Sequence, residues 1–435
     1  MTYSTRRRGA LALIQDLVAL AAIISLALIT PANAQVDTAA RGLAAAAYSQ
    51  AQPQNQVFSG ISNLNPASIP HLRKAIATVI SGSAASGPID FISDSTTRGG
   101  GATSITNTWP HMLALLVNES GVPVSDSGFF GASNFTTLAA FSAFDPQISG
   151  GSGWALGQSS AGGQYLKWPG SLTPTALSFA PLSISGAALP FNQCDLYYIS
   201  NTTTQTLTID RSGTAPTSNA SVNTTAALSA HKITITWAAA AAGSLNITPA
   251  SSGSGQAYIF GAYCRNTASP TLEFLNMAWA GSNSADWVSA QFAPAYDPIT
   301  LIKLTAPVTA FIGHGVNDWN NGTTSGGSIG PTPLTSFQAN IGALIACVQA
   351  SGDVLLTDGP QSNPSDYASI ATQQAYVGVL KGLSNADGIP FLDRQVILGG
   401  FAAANANGLM YDDRHPNNVG LAQEARAFLK IFNAY

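Results

Sequence analysis

Apolar residues recur at helical spacing in "IPHLRKAIATVISG", where Ile69, Leu72, Ile76 and Ile80 share one face and Gly82 stands past the end. The pattern then changes. "IDFIS" is a short run of strand type, the polar stretch "DSTTRGGG" breaks it, and "TSITNTWPHMLALLVNES" reads as the following helix. Strand, sharp turn and helix begin an α/β layer. From about Asp145 to Asn266 helical periodicity disappears, and short runs such as "ALSFAPLSI", "DLYYIS", "QTLTIDRSG", "HKITITWA" and "AYIFGAYC" recur between Gly, Ser, Asn and Pro clusters. Such β-branched and aromatic runs predict a jelly-roll-like β-sandwich of about 120 residues. Buried-type strands return in "LEFLNMAWAG", "VTAFIGHGVND" and "DVLLTDGP", and helical runs separate the later ones. One α/β domain interrupted by a β insert is the economical reading, because the first strand and helix cannot build a core alone.

The expected organisation is a signal peptide over 1–34, a flexible lead-in over 35–60, α/β segments over 61–144 and 269–435, and the insert over 145–268. The leader assignment rests on Arg6, Arg7 and Arg8, an apolar stretch from Leu17 to Ile29, and Ala-Asn-Ala before Gln35. That stretch is shorter than the roughly 20 residues of a membrane span. An exported protein, periplasmic or extracellular, with no stable membrane insertion after cleavage is therefore expected.

Composition narrows the partners. Only 9% of the 435 residues are charged, and Lys+Arg 17 against Asp+Glu 21 gives a net charge of −4. Without a basic stripe to neutralise phosphates, nucleic acid is not an expected partner. Three cysteines leave one odd. Cys194 and Cys264 lie in strand-like runs and could bridge, whereas Cys347 falls on the apolar face of a predicted helix. No C-x-x-C or His-x-x-x-His occurs, so neither a zinc site nor another cofactor is expected.

A serine hydroxyl needs a base, an orienting acid and oxyanion donors before it can act as a nucleophile. Of the five histidines, His71, His111 and His231 sit in helix or strand patterns, and His314 precedes a turn. His415, in "MYDDRHPNNVG", has Asp412 three residues before it. A carboxylate there can accept the Nδ1 proton and leave Nε2 free to act as base, although a polar loop capping the last helix would use the same residue types. A base must be neutral, so activity is expected to fall in acid.

"SDS" at 93–95, the glycine in "MAWAGSNSADW", "GVND", and "DDRHP" near the end resemble, in that order, the blocks of the SGNH/GDSL hydrolase family. The resemblance covers 61–140 and 270–435. It implies a three-layer α/β/α fold with a parallel sheet and a serine esterase activity. It also implies Ser95 as nucleophile, His415 as base, Asp412 as its orienting acid, and Gly281, Asn317 and the Ser95 amide as the oxyanion hole. One departure stands out: Ser93 occupies the place of the first glycine of Gly-Asp-Ser. Asp94 and Asp318 are expected to support turns. Arg98 and Trp109 are open between substrate contact and a turn or core role.

A rival serine, Ser328, lies in "GGSIG", but Pro331 and Pro333 follow where a nucleophile elbow needs a helix. The glycines after Arg98 lack the spacing and lysine of a phosphate loop. Export, a neutral surface and a β insert together favour an acetylated carbohydrate as substrate. Trp154, Trp168 and Trp237 are candidate sugar platforms, against the alternative of core positions. Two other readings are an O-acyltransferase of an exopolysaccharide or cell-wall glycan, and a non-catalytic glycan-binding protein on a drifted hydrolase fold.

Overall fold

The computed structural model describes residues 60–131, 135–157, 165–170, 172–200, 205–227, 229–250, 255–288, 298–320 and 331–433. The expected leader, nearly all of the lead-in, and Ser328 lie outside the described residues. The described residues open with β1 (Ile61–Ser62), the helix Pro70–Ile80, β2 (Ile89–Ser93), the four-residue helix Ser95–Arg98, the helix Trp109–Glu119, and β3 (Val124–Ser125). Next come β4 (Gly128–Phe130), β5 (Ile148–Gly150), β6 (Ala155–Gly157), β7 (Tyr165–Trp168), β8 (Leu177–Phe179) and β9 (Phe191–Ser200). They are followed by β10 (Thr206–Arg211), β11 (Ser221–Asn223), β12 (Ser229–Ala241), β13 (Leu245–Pro249) and β14 (Ala257–Arg265). The α/β pattern resumes with β15 (Leu272–Asn276), β16 (Thr309–Gly313), β17 (Asp353–Thr357) and β18 (Phe391–Leu392), and ends in the helix Asn418–Phe432.

A seven-stranded sheet runs β1-β18-β17-β16-β2-β15-β3. All its pairs are parallel except β1 with β18. Strands β2, β16 and β17 are buried at every position, which accounts for their continuous apolar character. Phe91 stacks on Phe311 across β2 and β16, and Trp109 joins them edge-on, so the helix after the "SDS" turn is pinned to the sheet centre.

Two antiparallel sheets accompany it, ordered β11-β10-β13-β8-β5 and β12-β9-β14-β7-β6, with β4 paired to β14. The β region thus recruits Gly128–Phe130, which the sequence pattern left with the first α/β segment. Between the two sheets lies a cluster that includes Ile148, Leu177, Leu207, Ile247, Cys194 and Leu196. The central strands β9 and β14 of the second sheet send buried residues to both faces. On β9, Cys194 and Leu196 enter that cluster, while Tyr197 and Ile199 turn to the core of the α/β part. On β14 an irregularity between Ile259 and Gly261 shifts the phase, so that Ile259 and Ala262 lie on one side and Phe260 and Tyr263 on the other. Cys194 and Cys264 stand opposite each other in this register and are joined by a disulfide.

Candidate active site

Strand order brings the site together. β2 lies between β16 and β15, so the turns after these three parallel strands share one edge of the sheet. They carry Ser95, Asn317 and Gly281. Asp412 and His415 arrive from the loop before Asn418–Phe432, a helix held against Trp109–Glu119 by an edge-on contact of Trp109 and Phe428 at 4.8 Å.

Ser95 Oγ is 2.8 Å from His415 Nε2 and keeps 9% of the residue's surface exposed. His415 Nδ1 is 2.8 Å from Asp412 Oδ2 and 3.1 Å from Oδ1. Asp412 Oδ1 also accepts from the backbone amides of Arg414 and His415. Burial pushes the Asp412 carboxyl up, but hydrogen bonding and charge from His415, with those two amides, outweigh it and hold it at about 2. A hydroxyl, an imidazole and an ionised carboxylate in that order can move a proton from oxygen to nitrogen and hold the imidazolium that results.

The other serine–histidine contact among the described residues shows what this one has in addition. Ser200 Oγ and His231 Nε2 are 2.9 Å apart, yet that hydroxyl also bonds Ala227 O, and no described carboxylate bonds the ring. His71 pairs with Asp353, and His111 with Asp126. His314 is fully buried, with both ring nitrogens unpartnered.

The "SDS" turn is built around its neighbours. Asp94 caps the short helix, its Oδ1 accepting from Thr96 N and Thr96 Oγ1. Burial, opposed by those bonds, raises its pKa. Ser93, the departure from Gly-Asp-Ser, sits opposite Gly313 in the β2–β16 register. Its hydroxyl donates to Gly313 O and accepts from Thr97 Oγ1. The missing side chain of Gly313 leaves the space, since a Cβ there would stand 3.0 Å from Ser93 Oγ. The departure is thus accommodated by a glycine on the adjacent strand.

The turn after β15 is tied to the same place. Trp279 N donates to Ser93 O at 2.8 Å, and Gly281 has φ +79°, a left-handed conformation suited to glycine. Asn317 Nδ2 donates to Ser282 O at 2.8 Å, which fixes the amide and leaves its second N–H for another acceptor. Ser282 is itself held through its hydroxyl, which donates to Trp279 O and accepts from Trp287 Nε1. Asp318 accepts from Ser284 N and Oγ, and burial pushes its carboxyl up to about 7 against those bonds. It serves the turn, as expected.

Arg98 and Trp109 are removed from the substrate side. Both are buried, the arginine donating to the carbonyls of Phe130, Gly131 and Asn276. Trp154, Trp168 and Trp237 are buried as well, which corrects their candidacy as sugar platforms.

Two features escape the motif reading. The glycines after Arg98 receive the histidine loop: a Cβ on Gly100 would lie 2.5 Å from His415 Cδ2 and 2.8 Å from Nε2, and one on Gly101 would collide with Pro416 O. Three consecutive glycines beside a candidate nucleophile signal a close approach of this kind. Behind the turn, Arg394 makes a two-point ion pair with Glu424, both fully buried, and donates to Thr96 Oγ1 and Thr96 O. Nothing in the local sequence pattern marks that pair, since its members are 30 residues apart.

Among the described residues no group of three or more His, Cys, Asp or Glu side chains could hold a metal ion, and no helix is long and apolar enough to cross a membrane. No protein-family model matches the chain, and no curated protein does. The structure is similar to a solved structure described as a peptidoglycan O-acetylesterase in action, with a TM-score of 0.57 at 15% identity over 86% of this chain and 98% of that one. That share is too large to be met by the two α/β segments alone, so the likeness runs on through the antiparallel sheets. Slighter likenesses, each with a TM-score of 0.29, are to an acetylxylan esterase from Geobacillus stearothermophilus (20% identity, 37% of this chain and 73% of that one) and a lipase/acylhydrolase from Enterococcus faecalis (14%, 36% and 74%). The mixed α/β fold with its largely parallel sheet is consistent with the fold that the sequence resemblance implies.

Proposed function

We infer that the protein is a serine ester hydrolase that removes acetyl groups from a carbohydrate. The observation that carries the reading is the continuous contact Ser95–His415–Asp412 at the edge of the sheet where the turns bearing Gly281 and Asn317 converge. Ser95 Oγ attacks the ester carbonyl carbon while His415 Nε2 takes its proton. The tetrahedral oxyanion is received by the amides of Ser95 and Gly281 and by the free N–H of Asn317 Nδ2. Collapse breaks the bond to the sugar oxygen, which takes the proton from His415 and leaves as a hydroxyl, and an acetyl ester remains on Ser95. Water then repeats the sequence, releasing acetate and restoring the serine. Asp412 stays ionised throughout and steadies the imidazolium.

The two antiparallel sheets are read as a sandwich inserted into the hydrolase domain, and the N-terminal stretch as an export signal. Carbohydrate is favoured over lipid by the neutral surface and by the fold shared with a peptidoglycan O-acetylesterase. The test is acetate release from a chemically O-acetylated oligosaccharide, with and without a second acceptor sugar. Free acetate in both cases supports hydrolysis. Acetylated acceptor in place of acetate would make the protein a transferase, and no release beside intact sugar binding would make it a glycan-binding protein.

A further inference from the structure

Tyr411 is the most exposed of the large hydrophobic side chains among the described residues, at 70%. A single exposed apolar residue is ordinary, but this one stands on a fixed backbone one residue before Asp412. Met410 and Pro416 bridge across the loop, Tyr411 N donates to His415 O at 2.8 Å, and Asn417 Nδ2 donates to Gly408 O and Met410 O. Gly101, at φ +84°, lets the loop approach: a Cβ there would lie 3.0 Å from Tyr411 Cβ. No described ring stacks on Tyr411. In the same loop the Arg414 guanidinium lies 5.1 Å over the Tyr367 ring. The loop that carries Asp412 and His415 thus presents an uncovered aromatic side chain on a held backbone.

An acetyl group is two carbons and offers little binding energy, so an enzyme that removes it from a sugar must grip the sugar. A pyranose presents an apolar C–H face that packs on an aromatic ring, with hydroxyls at its edge for polar donors. An aromatic side chain has few rotatable bonds, and on a backbone already held in place it loses less entropy on binding than one on a mobile loop. The three tryptophans suggested by the sequence are buried and cannot serve.

We propose that Tyr411 is the platform on which the sugar ring bearing the acetyl ester stacks. This rests on the carbohydrate reading above. The test compares parent, Tyr411→Ala, Tyr411→Phe and, as a remote control, Ile370→Ala on O-acetylated chitotriose and on a short aryl acetate. Tyr411→Ala should lower the ratio of kcat/KM for the sugar to that for the aryl ester about tenfold, chiefly through KM. Tyr411→Phe, which keeps the ring, should preserve the ratio, as should Ile370→Ala. Thermal melts show that each variant is folded. An unchanged ratio in Tyr411→Ala overturns the proposal. A parent that cleaves the aryl ester but releases no acetate from the sugar overturns the carbohydrate reading and this proposal together, while leaving the Ser95 chemistry standing.

Discussion

Gly100→Ala places one methyl group against the ring of His415. Unlike Gly99 at φ +115° and Gly101 at φ +84°, Gly100 is outside the left-handed region, so alanine brings no backbone strain of its own. The new Cβ would stand 2.5 Å from His415 Cδ2 and 2.8 Å from Nε2, where carbon atoms settle at about 3.5–4.0 Å. The ring must retreat by about 1 Å. The Ser95 Oγ–Nε2 separation of 2.8 Å has no such slack, because a hydroxyl hydrogen bond weakens beyond about 3.0 Å. A misplacement of about 1 Å in a reacting group costs about 10²-fold. Steady-state hydrolysis of an aryl acetate should therefore show kcat lowered about 10²-fold with KM little changed. Since the far end of a side chain can swing aside, the melting temperature should move little. A folded Gly100→Ala variant with kcat within about threefold of the parent would refute the placement of His415 against this turn.

Four further outcomes follow from the same structure. Ser93→Gly removes two hydrogen bonds and adds a flexible residue to a strand, so it should cost about 1–2 kcal/mol in denaturant unfolding while hydrolysis persists, because the hydroxyl faces Gly313 and Thr97 and not the ester; loss of activity at unchanged stability would contradict this. Arg394→Met leaves Glu424 buried without its partner and should destabilise by about 3–5 kcal/mol, read in the same assay, with a null result removing the pair from the support of Thr96. Burial holds the His314 imidazole down at about 3, whereas in the unfolded chain it binds a proton near about 6.5; its contribution is intact above that pH and is lost at up to about 1.4 kcal/mol per unit as pH falls toward 3. The stability of the parent relative to His314→Leu should fall accordingly between pH 7 and pH 5, and a constant difference would oppose the reading. Gly378→Ala and Gly382→Ala, in the helix Ile370–Asp387 with nothing within 4 Å of the added carbon, should each stabilise by about 0.5–1 kcal/mol in thermal melts, and destabilisation would show hidden crowding.

What was legible in the sequence is what periodicity and local motif record. The helix Pro70–Ile80 and the strands Ile89–Ser93, Thr309–Gly313 and Asp353–Thr357 fall where their apolar patterns place them. Ser95, His415 and Asp412, which an ordered set of blocks singles out, meet in the fold although Ser95 and His415 are separated by 320 residues. The role of Ser93 was not legible, since its fit depends on Gly313 across a strand pairing. Gly100 showed only as part of a glycine run until the fold put His415 beside it. The Cys194–Cys264 bridge is not legible for the same reason: strand-like runs do not state which residues stand opposite each other. Arg394 with Glu424, and the placement of Gly128–Phe130 beside β14, are likewise products of tertiary pairing. Trp154, Trp168 and Trp237 show the converse, because residue type alone does not distinguish a platform from a core.

The most direct measurement is hydrolysis of a short aryl acetate by the full chain beside Ser95→Ala, with mass spectrometry of the intact protein during turnover. If Ser95 is the nucleophile, the parent turns over and carries a transient acetyl group on Ser95, and Ser95→Ala shows neither. Turnover by Ser95→Ala at the parental rate, or an acetyl group mapped to another residue, would contradict the assignment of this site.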